Sequence, residues 1–199
     1  MPASATPDRR TELLDAIEPV LRTAGPEASM AALAAGAGIT KPILYRHFGD
    51  KQGLLAAWAT RQALRLGQRI TSELAQERTP RSRIRTTIST YLAALEEDPQ
   101  GYWFVTRRAL SADDPSGGPV GDVAETIVTA VAALLERELA AAGADTTPAR
   151  TWARAMVGMV QQVGDHWIRH PDVTRDALAS QLTDLVWVGF RGMADRPAI

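Results

Sequence analysis

Residues 29–55, SMAALAAGAGITKPILYRHFGDKQGLL, carry the pattern from which the fold is predicted. Ser29 and Thr40 each precede a short helical segment, and both residue types favour the N-cap position of a helix. The glycines between them permit a sharp reversal of the chain, because glycine readily adopts positive φ. The segment therefore predicts two short helices joined by a tight turn, a helix-turn-helix, and a longer helix that begins near Lys51.

The spacing of apolar side chains predicts which faces of the two short helices are buried. The residues expected to point inward are Met30, Leu33, Ala34, Leu44 and Phe48. Ile39, in the turn, is expected to fill the angle between the two helices. The opposite face of the second short helix is thereby left for solvent or for a partner.

That outer face suits the major groove of B-DNA, which is wide enough to admit a helix. Lys41 can donate to guanine O6 or N7, and Pro42 can contact a thymine methyl group. Tyr45, His47 and Lys51 are placed to meet phosphates, which fix the position of a protein on the duplex. The face therefore predicts contact with double-stranded DNA.

Three of these side chains also have simpler interpretations. Lys41 is either a base-reading residue or a solvated surface charge. Arg46 points to DNA, or to solvent, or forms an i,i+4 ion pair with Asp50. His47 is either a phosphate contact or a partly buried histidine that bonds within its own helix.

The composition limits the class of protein. The chain has 199 residues, of which 45% are hydrophobic and 23% charged, with a net charge of -1 and no cysteine. These values indicate a globular protein without disulfides and are compatible with the cytoplasm. No signal peptide and no membrane-spanning segment is predicted. Because the net charge is close to zero, affinity for nucleic acid has to come from local placement of charge.

Apolar periodicity and helix-ending residues predict an all-α fold with about nine helices. The expected helices cover approximately 8–24, 29–35, 40–48, 50–77, 80–97, 102–110, 122–142, 147–169 and 174–193. Residues 111–121, SADDPSGGPVG, are predicted to form a loop.

The small-residue turn, the capped helix, the string LYRHF at 44–48 and the lysine at position 51 together resemble the TetR family of one-component transcriptional regulators. The resemblance implies a DNA-binding domain of three helices, predicted as 1–50, and a ligand-binding and dimerisation domain, predicted as 51–199. It also implies a homodimer that binds a palindromic operator. Repression would be relieved by a small, largely apolar effector.

The resemblance assigns roles to individual residues of the DNA-binding domain. Base reading falls to the start of the third helix, and phosphate contacts fall to the helix starts and to the polar side chains around them. The implied DNA-binding residues are Ser29, Thr40, Lys41, Pro42, Tyr45, Arg46, His47 and Lys51. Ala31 and Ala32 stand where members of the family often carry a polar base reader, and Pro42 replaces a glycine or small residue. Base readout is therefore expected almost wholly from the third helix, with Arg9 and Arg10 as additional candidates for phosphates.

Aromatic residues and methionines are concentrated in the C-terminal half, where they form a candidate ligand pocket. Flexible methionines and flat aromatic rings suit a bulky apolar ligand. The candidate pocket residues are Tyr102, Trp103, Phe104, Arg107, Trp152, Met156, Met159, Val163 and Trp167. A packing core or a dimer seam would give the same helical stripe. Arg107 either pairs with an anionic group of the ligand or remains solvated or salt-bridged.

The last two long helices are the predicted dimer interface. Leu178, Leu182, Leu185 and Gly189 form an apolar stripe with one small residue for close approach. Pairing two copies would bury this stripe in a four-helix bundle. Such a dimer would set the two recognition helices about one DNA turn, roughly 34–36 Å, apart.

Other kinds of chemistry are not indicated. The sequence has no Gly-rich phosphate loop and no nucleophile elbow, so neither an enzyme nor a cofactor is predicted. His166 and His170 have an i,i+4 spacing that can bind a metal, but no third ligand accompanies them and no metal site is predicted. The alternative function is a helical module for protein interaction or DNA binding without small-molecule control.

Overall fold

The computed structural model describes residues 9–99 and 118–194. Within these two ranges the chain forms eight α-helices and no strand, which confirms the all-α prediction. The helices are α1 (Arg9–Ala24), α2 (Met30–Gly36), α3 (Lys41–Phe48), α4 (Lys51–Leu74), α5 (Pro80–Glu97), α6 (Gly118–Ala141), α7 (Ala149–Arg169) and α8 (Arg175–Ala194). None of the helices in the described ranges is long and apolar enough to cross a membrane.

The boundaries differ from the predicted ones at α4 and α6. The first of these helices ends at Leu74 and not near residue 77. The second begins at Gly118, inside the segment predicted as a loop, because a proline such as Pro119 is tolerated in the first turn of a helix. The predicted helix at 102–110 and the rest of the predicted loop lie outside the described residues.

The chain divides into two compact units. The first contains residues 9–63, and the second contains residues 64–99 and 121–194. The predicted DNA-binding domain ended at residue 50, whereas this unit continues into the first half of α4. That half supplies Leu54, Leu55 and Trp58 to the core of the first unit.

The core of the first unit is built from α1 to α4. On α1, the i,i+4 spacing of Leu13, Ile17 and Leu21 places all three side chains on one face. The buried members of this core are Leu13, Leu14, Ile17, Leu21, Ala28, Met30, Leu33, Ala34, Leu44, Phe48, Leu54, Leu55 and Trp58. All five residues predicted to point inward from the two short helices are among them. Ile39 packs against the same cluster, as the prediction for the turn required.

The second unit has two apolar clusters. One joins α6 to α7, and its buried members are Val128, Ala132, Leu135, Leu139, Ala149 and Ala153. The other joins α5, α7 and α8, and its buried members are Ile88, Leu92, Trp167, Leu178, Ala179 and Leu182. Exposed ion pairs flank the packing of α5 on α8, including Arg175 with Glu96 at 2.7 Å, and pairs of this kind add little stability.

Candidate nucleic-acid interface and apolar cavity

The turn between α2 and α3 is closed by local hydrogen bonds and one left-handed glycine. The Ser29 hydroxyl caps α2 by accepting from the Ala32 N–H at 3.1 Å. Gly38 has φ of +64°, a conformation that other residues adopt only with strain. Thr40 occupies the N-cap position of α3 but its side chain makes no capping hydrogen bond. Its hydroxyl therefore remains available to a phosphate, and the Ser29 hydroxyl keeps its proton to donate.

Helix α3 has a buried face and an exposed face. Leu44 is 0% exposed and Phe48 is 6% exposed, so these two side chains attach the helix to the core. Lys41, Pro42, Tyr45 and Arg46 are all exposed. The predicted division of the helix into a packing face and an outer face is thus present in the structure.

The cations of α3 and of the start of α4 are not neutralised by carboxylates of the described residues. In the described part of the chain, Lys41, Arg46 and Lys51 take part in no ion pair. Asp50, the expected i+4 partner of Arg46, instead accepts a hydrogen bond from the Gly53 N–H at 2.7 Å and so caps α4. The positive charge of the outer face remains free to meet an anion.

His47 is half-buried at the C-terminal end of α3. Its Nε2 is shielded from solvent and has no hydrogen-bond partner among the described residues. Any contact of this ring with a phosphate would therefore have to come from Nδ1.

The two arginines that begin α1 have different environments. Arg9 pairs with Glu12 at 2.7 Å, one turn along the same helix. The Arg10 guanidinium lies over the ring of Phe48, 5.1 Å from its centroid, in a cation–π contact. Arg10 thus lies beside the end of α3, whereas Arg9 is already paired.

The predicted ligand-pocket residues divide among several places. Tyr102, Trp103, Phe104 and Arg107 lie outside the described residues. Trp152 and Met156 pack against the cluster between α6 and α7, while Met159 and Val163 pack against the other cluster. Trp167 is a core residue of that second cluster, and its indole N–H donates to the Val173 carbonyl at 2.8 Å. The predicted stripe is therefore mostly packing.

A cavity of about 120 Å³ does lie within the second unit, between α4, α5, α6, α7 and α8. Its wall is almost entirely aliphatic, and the apolar side chains that line it are Leu66, Ile70, Ile84, Ile88, Ile127, Val131, Leu134, Met156, Val157, Val160 and Val186. Arg83, Thr87, Tyr91 and Gln161 complete the lining. Of the predicted pocket residues, Met156 lines this cavity.

The predicted dimer residues on α8 also separate into two groups. Leu178 and Leu182 are buried within the subunit, in the cluster with α5, so these two side chains do not form a free surface as was predicted. Leu185 is 60% exposed, its neighbour Val188 is 69% exposed, and Gly189 is exposed as well. The exposed apolar face of α8 is accordingly shifted toward its C-terminal end.

His166 and His170 stack on each other, with ring centroids 4.7 Å apart. The described ranges contain no group of three His, Asp or Glu side chains arranged to hold a metal ion.

Family models match both units of the chain. Residues 13–58 match the model described as "Bacterial regulatory proteins, tetR family". Residues 69–198 match the model described as "Tetracyclin repressor-like, C-terminal domain". The two matches fall on either side of the middle of α4.

Individual relatives agree with these matches. An uncharacterised HTH-type transcriptional regulator of Mycobacterium tuberculosis is 29% identical over 189 residues, 94% of this chain and 80% of the relative. The HTH-type transcriptional activator FasR of Mycolicibacterium smegmatis is 26% identical over 92% of this chain and 83% of its own. The solved structure of FadR from Bacillus subtilis in complex with stearoyl-CoA has a TM-score of 0.73 at 14% identity, and covers 89% of this chain and 97% of that one.

Proposed function

The chain belongs to the TetR family of transcriptional regulators, and from this premise we propose that it is a ligand-responsive repressor acting in the cytoplasm. A homodimer would bind a palindromic operator through its two copies of α3. A small, largely apolar effector, bound in the second unit, would release the operator.

The different composition of the two faces of α3 is the observation that supports DNA binding. The buried Leu44 and Phe48 fix the helix, while Lys41 and Arg46 remain exposed and without an acidic partner in the described part of the chain. A helix held in this way presents positive charge and Pro42 toward a major groove. Since α2 contains no charged residue, base reading is assigned to Lys41 and Pro42.

We expect Lys41→Ala and Lys51→Ala to have different effects on DNA binding. A side chain that reads a base edge contributes about 1–3 kcal/mol of discrimination against the wrong base. Lys41→Ala should therefore relax sequence preference by roughly 5- to 150-fold. Lys51→Ala should weaken all sequences alike and reduce the slope of log K against log salt by about one unit. Duplexes selected from a random pool by the wild-type chain, and then titrated by fluorescence anisotropy, provide the measurement.

Tyr45→Phe serves as the matched control on the same helix. It removes only a hydroxyl that is assigned to a phosphate, so sequence preference should be retained while affinity falls. Unchanged preference in Lys41→Ala would contradict the assignment of base reading. Failure of the wild-type chain to select any duplex would contradict the whole proposal.

Effector control is supported by the aliphatic cavity in the second unit, which suits an apolar ligand. The FadR structure contains stearoyl-CoA, a ligand with a long apolar chain. FasR is an activator, so the direction of regulation needs its own test. A reporter driven by the selected operator should be silenced by the chain if it is a repressor, and induced if it is an activator.

We propose that the homodimer forms through the exposed part of α8, and we expect Leu185→Asp to weaken it. A charge placed in the centre of an interface should raise the dimer dissociation constant by roughly tenfold or more. Analytical ultracentrifugation over a range of concentrations measures this constant.

Leu64→Asp is the control for the dimer, because Leu64 is exposed but lies on α4. It should leave the association state unchanged. If Leu185→Asp associates as the wild type does, the proposed interface is incorrect. The alternative function, a helical module without small-molecule control, is favoured if no effector alters DNA binding.

A further inference from the structure

We infer that the cavity of the second unit binds an amphipathic anion, with its carboxylate held by Arg83 and its apolar body among the aliphatic side chains. This inference rests on the proposed effector role of the second unit.

The start of α5 carries an arginine at every second position, at residues 81, 83 and 85. Two of these three arginines already form ion pairs. Arg81 forms an ion pair with Asp184, and Arg85 forms one with Asp176 at 2.7 Å while donating to Ser180 at 2.6 Å. These partners all lie on α8. The two outer arginines therefore serve the packing of α5 on α8.

Arg83, between them, has no acidic partner among the described residues. It is half-buried, lines the cavity, and its Nε donates to the Glu77 main-chain carbonyl at 3.3 Å. In the described part of the chain no carboxylate lies within ion-pair distance of its guanidinium. A guanidinium beside an apolar cavity, with no carboxylate partner in the described part of the chain, favours binding of an anion next to it.

The nearby carboxylate of Glu77 is engaged elsewhere. Its Oε1 accepts from the Thr86 hydroxyl at 2.7 Å. Hydrogen bonds from Ser82 and Thr86 hold the pKa of Glu77 below its ordinary value. Glu77 thus stays ionised with its own donors, and its carboxylate leaves the two Nη groups of Arg83 available to a ligand.

The remaining lining limits the size and polarity of that ligand. Among the described residues that line the cavity, Arg83 carries the only charged side chain. Gln161, on α7, offers an amide that has no hydrogen bond within the described part of the chain. An engineered apolar cavity of about 150 Å³ holds benzene. A cavity of about 120 Å³ therefore suits an apolar body of about five carbons.

Hexanoate and hexan-1-ol form a matched pair of probes, since they share a chain length and differ in the charged group. The full wild-type chain should bind hexanoate more tightly than hexan-1-ol in isothermal titration. Arg83→Gln should raise the Kd of hexanoate by roughly ten- to a hundredfold, the range for a hydrogen bond to a charged group, and leave that of hexan-1-ol within about twofold. Arg83→Lys should recover part of the loss, because it keeps the charge.

Arg81→Gln is the control variant, because it removes an arginine of the same helix that faces Asp184. It should bind both probes as the wild type does. Equal binding of hexanoate by Arg83→Gln and wild type would overturn the inference, as would equal binding of both probes, or of neither, by the wild type. An unchanged melting temperature of Arg83→Gln excludes loss of folding as the cause of its weaker binding.

Binding to the selected duplex is measured in parallel and separates the two proposals. If the chain binds its duplex but Arg83 has no influence on hexanoate, the anion site fails and the regulator stands. If hexanoate binding depends on Arg83 but no duplex is selected, the anion site stands and the regulatory function fails.

Discussion

Leu44→Ala should destabilise the first unit by about 2–5 kcal/mol, the range for deletion of a fully buried leucine side chain. Leu44 is 0% exposed and lies on α3, opposite the face assigned to DNA. Its loss leaves a cavity beneath the recognition helix, so that the helix unfolds locally more often. Hydrogen exchange followed by peptide mass spectrometry should show faster exchange throughout residues 9–63, and affinity for the selected duplex should fall with it.

The same chemical change at Leu64 provides the control. Leu64 is 58% exposed, so Leu64→Ala should alter stability by no more than about 0.5 kcal/mol. If exchange in residues 9–63 is the same in Leu44→Ala as in the wild type, α3 is not held by the core in the way described.

Gly53→Ala should also destabilise the first unit, by about 1–3 kcal/mol, the range for overpacking. An added Cβ would lie 2.2 Å from the main-chain oxygen of Phe48, and main-chain atoms cannot move aside as the end of a flexible side chain can. The collision falls in the first turn of α4, where Asp50 accepts from the Gly53 N–H. The cap would be disturbed together with the end of α3. Urea unfolding and peptide-resolved hydrogen exchange both report the loss.

Gly67→Ala, on the same helix, should have the opposite sign. No atom lies within 4 Å of a Cβ added at Gly67. Alanine should therefore stabilise α4 there by about 0.5–1 kcal/mol, the usual advantage over glycine inside a helix. A loss of stability in Gly67→Ala comparable with that in Gly53→Ala would show that general sensitivity of α4, and not the contact with Phe48, is responsible.

The helix-turn-helix was predictable because its signals are local. N-cap residues, a glycine in the turn, and apolar side chains three or four residues apart act within one or two turns of helix. Ser29, Gly38 and Leu44 accordingly have the roles that the sequence predicted. The start of α6 was missed because Pro119 indicates a loop as readily as the first turn of a helix.

The partners of apolar faces were not predictable in the same way. A stripe on one helix has the same sequence whether another helix of the subunit or a second subunit covers it. Leu178 and Leu182 were therefore assigned to the dimer, although α5 covers them. For the same reason Trp167 was assigned to a pocket and is a core residue. Nothing in the sequence marks Arg83 as a candidate ligand-binding residue, because only the tertiary structure distinguishes it from Arg81 and Arg85.

The brevity of α3 limits how much sequence information one subunit can read. Helix α3 has eight residues and is about 12 Å long, at a rise of about 1.5 Å per residue. This length spans between three and four base-pair steps of about 3.4 Å. With an uncharged α2, the proposed dimer would specify about seven base pairs by direct contact. A DNA sequence of about seven base pairs recurs by chance many times among the roughly 10⁶ or more sites of a genome. Discrimination would then depend on half-site spacing and on the deformability of the DNA between the half-sites, both of which are read without contacting a base.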